Sequence, residues 1–123
     1  MEKQTAMEKK VQLSWYLAFY GEMLTENQRE IATLYFEEDF SLAEIAQQLS
    51  VSRQSIHDTV NRVEKTLTEF EEKLGLAARF ERLENGLKEC QKALSRIVPD
   101  EKSKKQLQIA QDMISALLAQ EDM

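Results

Sequence analysis

Arg53, Gln54, His57, Asp58 and Asn61 follow one another at steps of 1, 3, 1 and 3 in the stretch SRQSIHDTVNR. Those steps gather the five side chains on one face of a helix, where each residue turns the direction by about 100°. Such a face suits base-edge and phosphate chemistry. An Arg fork matches the two acceptors of guanine, and the amide of Gln or Asn matches adenine. The hydroxyls of Ser52 and Ser55 could donate to phosphate near a helix N-terminus, whose dipole favours anions. Arg62 adds a second cation about two and a half turns after Arg53. Asp58 would read cytosine or repel phosphate. The expected nucleic-acid-binding set is therefore Ser52, Arg53, Gln54, Ser55, His57, Asn61 and Arg62.

Other chemistry finds no constellation. The single histidine His57 and the single cysteine Cys90 fall on different predicted helices, and Cys90 reads as a core residue of an apolar seam. No clustered ligands predict a metal, and no Gly-rich loop predicts a phosphate cradle or other cofactor site. Glu37, Glu38 and Asp39 are adjacent at a helix end, where carboxylates do not converge, so they read as a solvated acidic corner. The chain is expected to be no enzyme, with no catalytic residues.

The elements that must position the polar face can be read from caps and periodicity. Leu13, Leu17, Tyr20 and Leu24 mark one face of a first helix over about 5–20, with Trp15, Tyr16 and Phe19 widening the stripe. Thr25 with Gln28, and Ser41 with Glu44, have the spacing of capping boxes that open a second and a third helix. Leu42, Ile45, Ala46 and Leu49 form the buried side of the third. LSVS is the turn, and Ser52 caps a fourth helix over about 52–74. Ala46 is the small residue at the helix crossing, and Ile45, Leu49, Val51 and Ile56 tie the two helices together. Ser50 occupies the place where a left-handed residue, best Gly, is required. This is a helix-turn-helix. Ile56, Val60, Val63, Leu67, Phe70 and Leu74 hold one face along the fourth helix, and Gly75 stops it.

Leu76, Phe80, Leu83, Leu87, Cys90, Leu94 and Ile97 alternate steps of 4 and 3, the heptad seam of a helix that packs on another helix. Pro99 ends that helix, and Leu107, Ala110, Ile114 and Leu117 mark a last one over about 101–120. The seam serves either an intramolecular bundle or a symmetric dimer that presents two recognition helices. The dimer is the favoured reading. The fold class is all-α: a helix-turn-helix domain over 1–75, and a C-terminal helical dimerisation extension over 76–123 that forms a bundle or coiled-coil seam.

Bulk numbers bound the class. With 42% apolar residues in 123, 3 Gly and 1 Pro, the chain can bury a core and favours long helices over turn-rich strands. No apolar run is long enough to span a membrane, and the first residues lack a signal's apolar stretch. A soluble cytoplasmic protein is expected, with its lone thiol in a reducing compartment. The net charge is −6, unevenly placed. Residues 26–50 carry six acids against Arg29 alone, whereas 76–98 carry five bases against three acids. A phosphate backbone is repelled by the first region and drawn to the second, and a basic protein shows the opposite preference.

The stretch LTENQREIATLYFEEDFSLAEIAQQLSVSRQSIHDTVNRVEKTL resembles region 4 of bacterial sigma factors, most clearly in LTENQRE and SLAEIAQQLSVSR. With the preceding LSWYLAFYGEMLT and the following FEEKLGL, the chain is similar to the YlxM family over about residues 8–97. That resemblance implies a small helix-turn-helix protein taking part in signal-recognition-particle-dependent protein targeting. It implies DNA or the particle's RNA as ligand, through Arg53, Gln54, His57 and Arg62, and the particle's GTPase as a further partner. The alternative is a protein-binding adaptor whose acidic face around Glu37–Asp39 meets a basic partner without touching nucleic acid.

Overall fold

The computed structural model describes residues 6–120. All regular elements among them are helical: α1 (Ala6–Tyr20), α2 (Glu26–Ala32), α3 (Leu42–Leu49), α4 (Arg53–Leu74), α5 (Leu76–Ser95) and α6 (Lys104–Gln120). A 3₁₀ turn at Gly21–Met23 follows α1, and a π turn at Thr33–Glu37 widens the end of α2. The chain divides into two compact units, one ending at Ala77 and one beginning at Ala78. No helix among the described residues is long and apolar enough to cross a membrane.

In the first unit α4 is the central element, packed by α1, α2 and α3. Its buried face is Ile56, Val60, Val63 and Leu67, as the 4-3 spacing predicts. Leu13, Leu17 and Tyr20 of α1, and Leu24 just after the 3₁₀ turn, join it in the core, with Ile31, Ala32, Ile45 and Ala46 from α2 and α3. Both capping boxes form. Thr25 Oγ1 accepts from Gln28 N–H at 3.2 Å while Gln28 Oε1 accepts from Thr25 N–H at 3.2 Å. Ser41 and Glu44 exchange the same pair of bonds at 3.1 Å each. Each box satisfies two backbone donors that a helix start would leave open.

The π turn changes which residues face inward. Glu38 N–H donates to Thr33 C=O at 3.0 Å and Phe40 N–H to Leu34 C=O at 2.9 Å. Asp39 closes the turn at φ 59, a left-handed conformation that Asp tolerates better than most residues. The extra residue brings Phe36 into the core beside Leu34 and leaves Tyr35 half-buried. An unbroken helical period places Tyr35 inside and misses Phe36.

Several side chains depart from the expected core. Val51 and Leu74 are exposed, and the Val51 N–H donates back to Ala46 C=O of α3 at 3.0 Å. Leu42 and Leu49 are half-buried at the edge of the core. Tyr16, Phe19 and Phe70, by contrast, pack against the core, with the Tyr20 and Phe70 rings stacked at 5.7 Å. Cys90 is exposed, not buried in a seam.

The start of α5 is fixed by one buried tyrosine. The Tyr20 hydroxyl donates to Glu71 Oε1 at 2.6 Å and accepts from Leu76 N–H at 3.1 Å. Glu71 Oε1 also accepts from Ala77 N–H at 3.0 Å. Gly75 makes the corner at φ 62. Thus two open donors of the α5 N-terminus end on α1 and α4 side chains.

The second unit pairs α5 with α6, joined at Gln91 Nε2 and Ser115 Oγ, 3.4 Å apart. α5 ends at Ser95, before Pro99. α6 begins at Lys104 because Asp100 and Ser103 bracket the turn before it. Ser103 N–H donates to Asp100 Oδ1 at 2.8 Å, and Asp100 N–H to Ser103 Oγ at 3.2 Å. The Ser103 hydroxyl, which donates to Asp100 Oδ1 at 2.8 Å, and then the Ser103 N–H hold the Asp100 carboxyl below its ordinary value.

Candidate nucleic-acid interface

The α3–α4 crossing sets the site. α3 ends with Ser50 at φ 57, and its N–H donates back to Gln47 C=O at 3.4 Å. Ala46 is buried where the helices cross. The chain then reverses and Ser52 opens α4, its Oγ accepting from Ser55 N–H at 3.0 Å. The first turns of α4 are left open to solvent: Ser52, Arg53, Gln54, Ser55, His57, Asn61 and Arg62 are all exposed.

These residues are not all on one line. At about 100° per residue, Gln54, His57, Asp58 and Asn61 cluster opposite buried Ile56, and Arg53 stands at one flank of the cluster. Arg62 comes out on the other flank. Two guanidinium groups therefore border a central strip of amides, one imidazole and one carboxylate. Neither Arg53 nor Arg62 has an ion pair among the described residues.

The central strip is bonded to itself. Gln54 Nε2 donates to Asp58 Oδ1 at 2.9 Å. Asn61 Nδ2 lies 3.5 Å from His57 Nδ1, and Asp58 Oδ1 is 3.8 Å from the same nitrogen. The local spacing of four residues makes both contacts available to any helix here. A base edge would have to replace them, so Asp58 acts as a built-in competitor for the Gln54 amide.

A groove of about 820 Å³ opens beside this strip, between α1, the π turn and α4. Met7, Val11 and Trp15 line one wall, Tyr35 the floor side, and His57 and Asn61 the wall belonging to α4. Ion pairs brace it: Lys10 Nζ to Asp39 Oδ1 at 2.9 Å, with the same ammonium 4.1 Å from the Tyr35 ring centre, and Lys9 to Glu64. The sequence held a signal for this groove. Met7, Val11 and Trp15 recur at steps of four on the side of α1 away from Leu13 and Leu17. The acidic corner is exposed as expected, with Asp39 engaged by Lys10.

A family model for UPF0122, the helix-turn-helix proteins of YlxM / p13 type, matches residues 7–108. A UPF0122 protein of Desulforamulus reducens is 55% identical over 62 residues, which span 50% of this chain and 53% of that relative. The chain thus spans about half the length of that relative. A UPF0122 protein of Halalkalibacterium halodurans is 40% identical over 90 residues, 73% of this chain and 83% of the relative. One of Thermoanaerobacter sp. strain X514 is 41% identical over 95 residues, 77% and 81% of the two chains.

Proposed function

Since the chain belongs to the UPF0122 family of YlxM / p13-like helix-turn-helix proteins, we propose that it is a regulatory nucleic-acid-binding protein read out through the first turns of α4. The observation that carries this reading is the solvent-open strip Gln54, His57 and Asn61, bordered by the uncommitted guanidinium groups of Arg53 and Arg62. Arg53 and Arg62 hold phosphates or guanine, and the amides exchange their internal bonds for a base edge. The resemblance to YlxM proteins extends the proposal to a cytoplasmic role in signal-recognition-particle-dependent targeting. DNA or the particle's RNA is then the ligand, and the protein acts as a homodimer.

The test compares duplex promoter DNA with the particle RNA in gel-shift and anisotropy titrations. Replacing Arg53 and Arg62 together by Ala weakens binding and flattens its salt dependence by about one unit of slope per lost phosphate contact. A double variant that binds both ligands as the parent does removes α4 as the reader.

The charge distribution favours a second reading, a protein-binding adaptor. Glu37 and Glu38 are exposed and make no ion pair among the described residues, which leaves an acidic corner for a basic partner such as the particle's GTPase. Charge reversal of Glu37 and Glu38 abolishes capture of the GTPase under this reading, and an unchanged yield rejects it.

A further inference from the structure

Asp58 differs in kind from the groups around it on the α4 face. Arg53 and Arg62 only donate hydrogen bonds, Gln54 and Asn61 donate and accept, and an ionised carboxylate only accepts. Its side chain is 61% exposed. Its contacts stay within α4: Gln54 Nε2 donates to Oδ1 at 2.9 Å, and His57 Nδ1 lies 3.8 Å from the same oxygen. Arg62 follows four residues on, the spacing of a helical ion pair. Yet no Lys or Arg pairs with Asp58 among the described residues. The carboxylate is held by a neutral amide, the same amide that a base edge takes.

A base that takes the Gln54 amide leaves Asp58 without that partner. Adenine engages such an amide through N7 and N6. Only one N6 hydrogen points out of the base pair, so Gln54 uses it up, and Asp58 must find a donor on another pair. In the major groove of B-DNA the donors are N4 of cytosine and N6 of adenine. The other polar groups there (guanine N7 and O6, adenine N7, thymine O4) are acceptors, and so are the phosphate oxygens. Facing any of these, the carboxylate loses water and gains only repulsion, a larger penalty than for a neutral group left unpaired. Arg62 can swing across to it only by giving up its own phosphate.

The placement on α4 limits where that donor lies. Gln54 and Asp58 are about 40° apart around the helix and about 6 Å apart along it. With about 3.4 Å per base step, Asp58 then falls within about two steps of the adenine held by Gln54. Each base pair turns one amino group into the major groove, from its cytosine or its adenine. A carboxylate at a fixed point therefore tells C·G from G·C, and A·T from T·A, by which strand brings the amino group to it. The major groove of an A-form RNA duplex is closed to side chains, so there the carboxylate reads nothing and repels phosphate.

We propose that Asp58 is a specificity-determining residue: it selects B-form duplex DNA that presents an exocyclic amino group, cytosine N4 or adenine N6, within about two base steps of the base held by Gln54. This rests on the reading of α4 given above, and adds to it the form of the ligand and a second base contact.

The test starts from duplexes that the parent enriches out of a randomised DNA pool. They are resynthesised with one amino group removed at a time, purine replacing adenine or pyrimidin-2-one replacing cytosine. Anisotropy titrations compare the parent with Asp58→Ala and Gln54→Ala. The Asp58 carboxylate touches only side chains of its own helix, so Asp58→Ala folds with the helicity of the parent by circular dichroism. The parent loses about fivefold or more in affinity at each of two neighbouring positions. Asp58→Ala loses less than about twofold at one of them and keeps the loss at the other, and Gln54→Ala does the reverse. Asp58→Ala also binds an unrelated duplex at least as tightly as the parent, because an anion has left a face that meets phosphates. If Asp58→Ala keeps the parent's loss at every amino group, Asp58 is not the selector, and α4 stands as the reader. If the Arg53→Ala, Arg62→Ala double variant binds the enriched duplexes as the parent does, α4 is not the reader and this contact goes with it. A parent that enriches no sequence from the duplex pool, or that prefers a single-stranded RNA pool to it, overturns the proposal.

Discussion

Tyr20 shows how much one side chain can hold. Its ring is fully buried against Phe70, and its hydroxyl bridges Glu71 and the first backbone donor of α5. Tyr20→Phe keeps the ring and strands the Leu76 N–H, so it lowers stability by about 1–3 kcal/mol in denaturant unfolding. Burial first, and then the bond to Glu71, raise the Tyr20 pKa above its ordinary 10.0, and burial with the nearby Glu71 and Glu72 raises that of Tyr16. A raised folded value means the folded chain holds the proton more tightly than the unfolded one. This stabilisation is therefore complete below about pH 10 and is lost as pH climbs through the folded values. Alkaline unfolding followed at 295 nm shows that limb, and Tyr20→Phe makes it shallower. None of this was legible in the sequence beyond the burial of Tyr20. The bridge spans 51 residues to Glu71, and no local pattern announces a partner so distant.

The helix starts were legible for the opposite reason. Thr25 with Gln28, Ser41 with Glu44, and Ser52 with Ser55 each close within four residues, so residue type and spacing contain the whole interaction. The α3–α4 turn was legible as a place that needs a left-handed residue, and Ser50 takes that conformation at φ 57. Ser50→Gly removes the Cβ conflict and raises stability by about 0.5–1 kcal/mol, a rise in thermal midpoint that scanning calorimetry checks. An unchanged or lower midpoint shows that the Ser50 side chain holds the turn in some other way. The π turn escaped notice because it breaks the very period from which inward faces are read, which is why Phe36 was missed. The α5 heptads misplaced Cys90 for a related reason. Spacing predicts that a face will be covered, and it says nothing of whether the cover comes from the same chain. Likewise, α4 spacing gathered Gln54, His57, Asp58 and Asn61 but not Arg53, which stands at their flank, and the internal bond from Gln54 to Asp58 required the side chains themselves.

For the molecule as a whole, charge sets the terms of any encounter. A net charge of −6 with a pI of about 4.9 repels phosphate at long range, so attraction comes from few local cations. If Arg53 and Arg62 are the phosphate contacts, the plot of log affinity against log salt for duplex DNA has a slope no steeper than about −2. A steeper slope in an anisotropy titration means that further bases share the contact, with Arg79, Arg82 and Lys92 of α5 the first to test. Shape is set as locally as charge. Between Ile31 and Ser41 the backbone accommodates one residue more than an uninterrupted spiral would. A homologue lacking that residue would rewind the stretch as an uninterrupted helix, and the side chains of the turn itself would change which of them face inward. A one-letter gap in this segment of an alignment therefore signals a remodelled surface, and residues upstream of it should not be matched by counting alone.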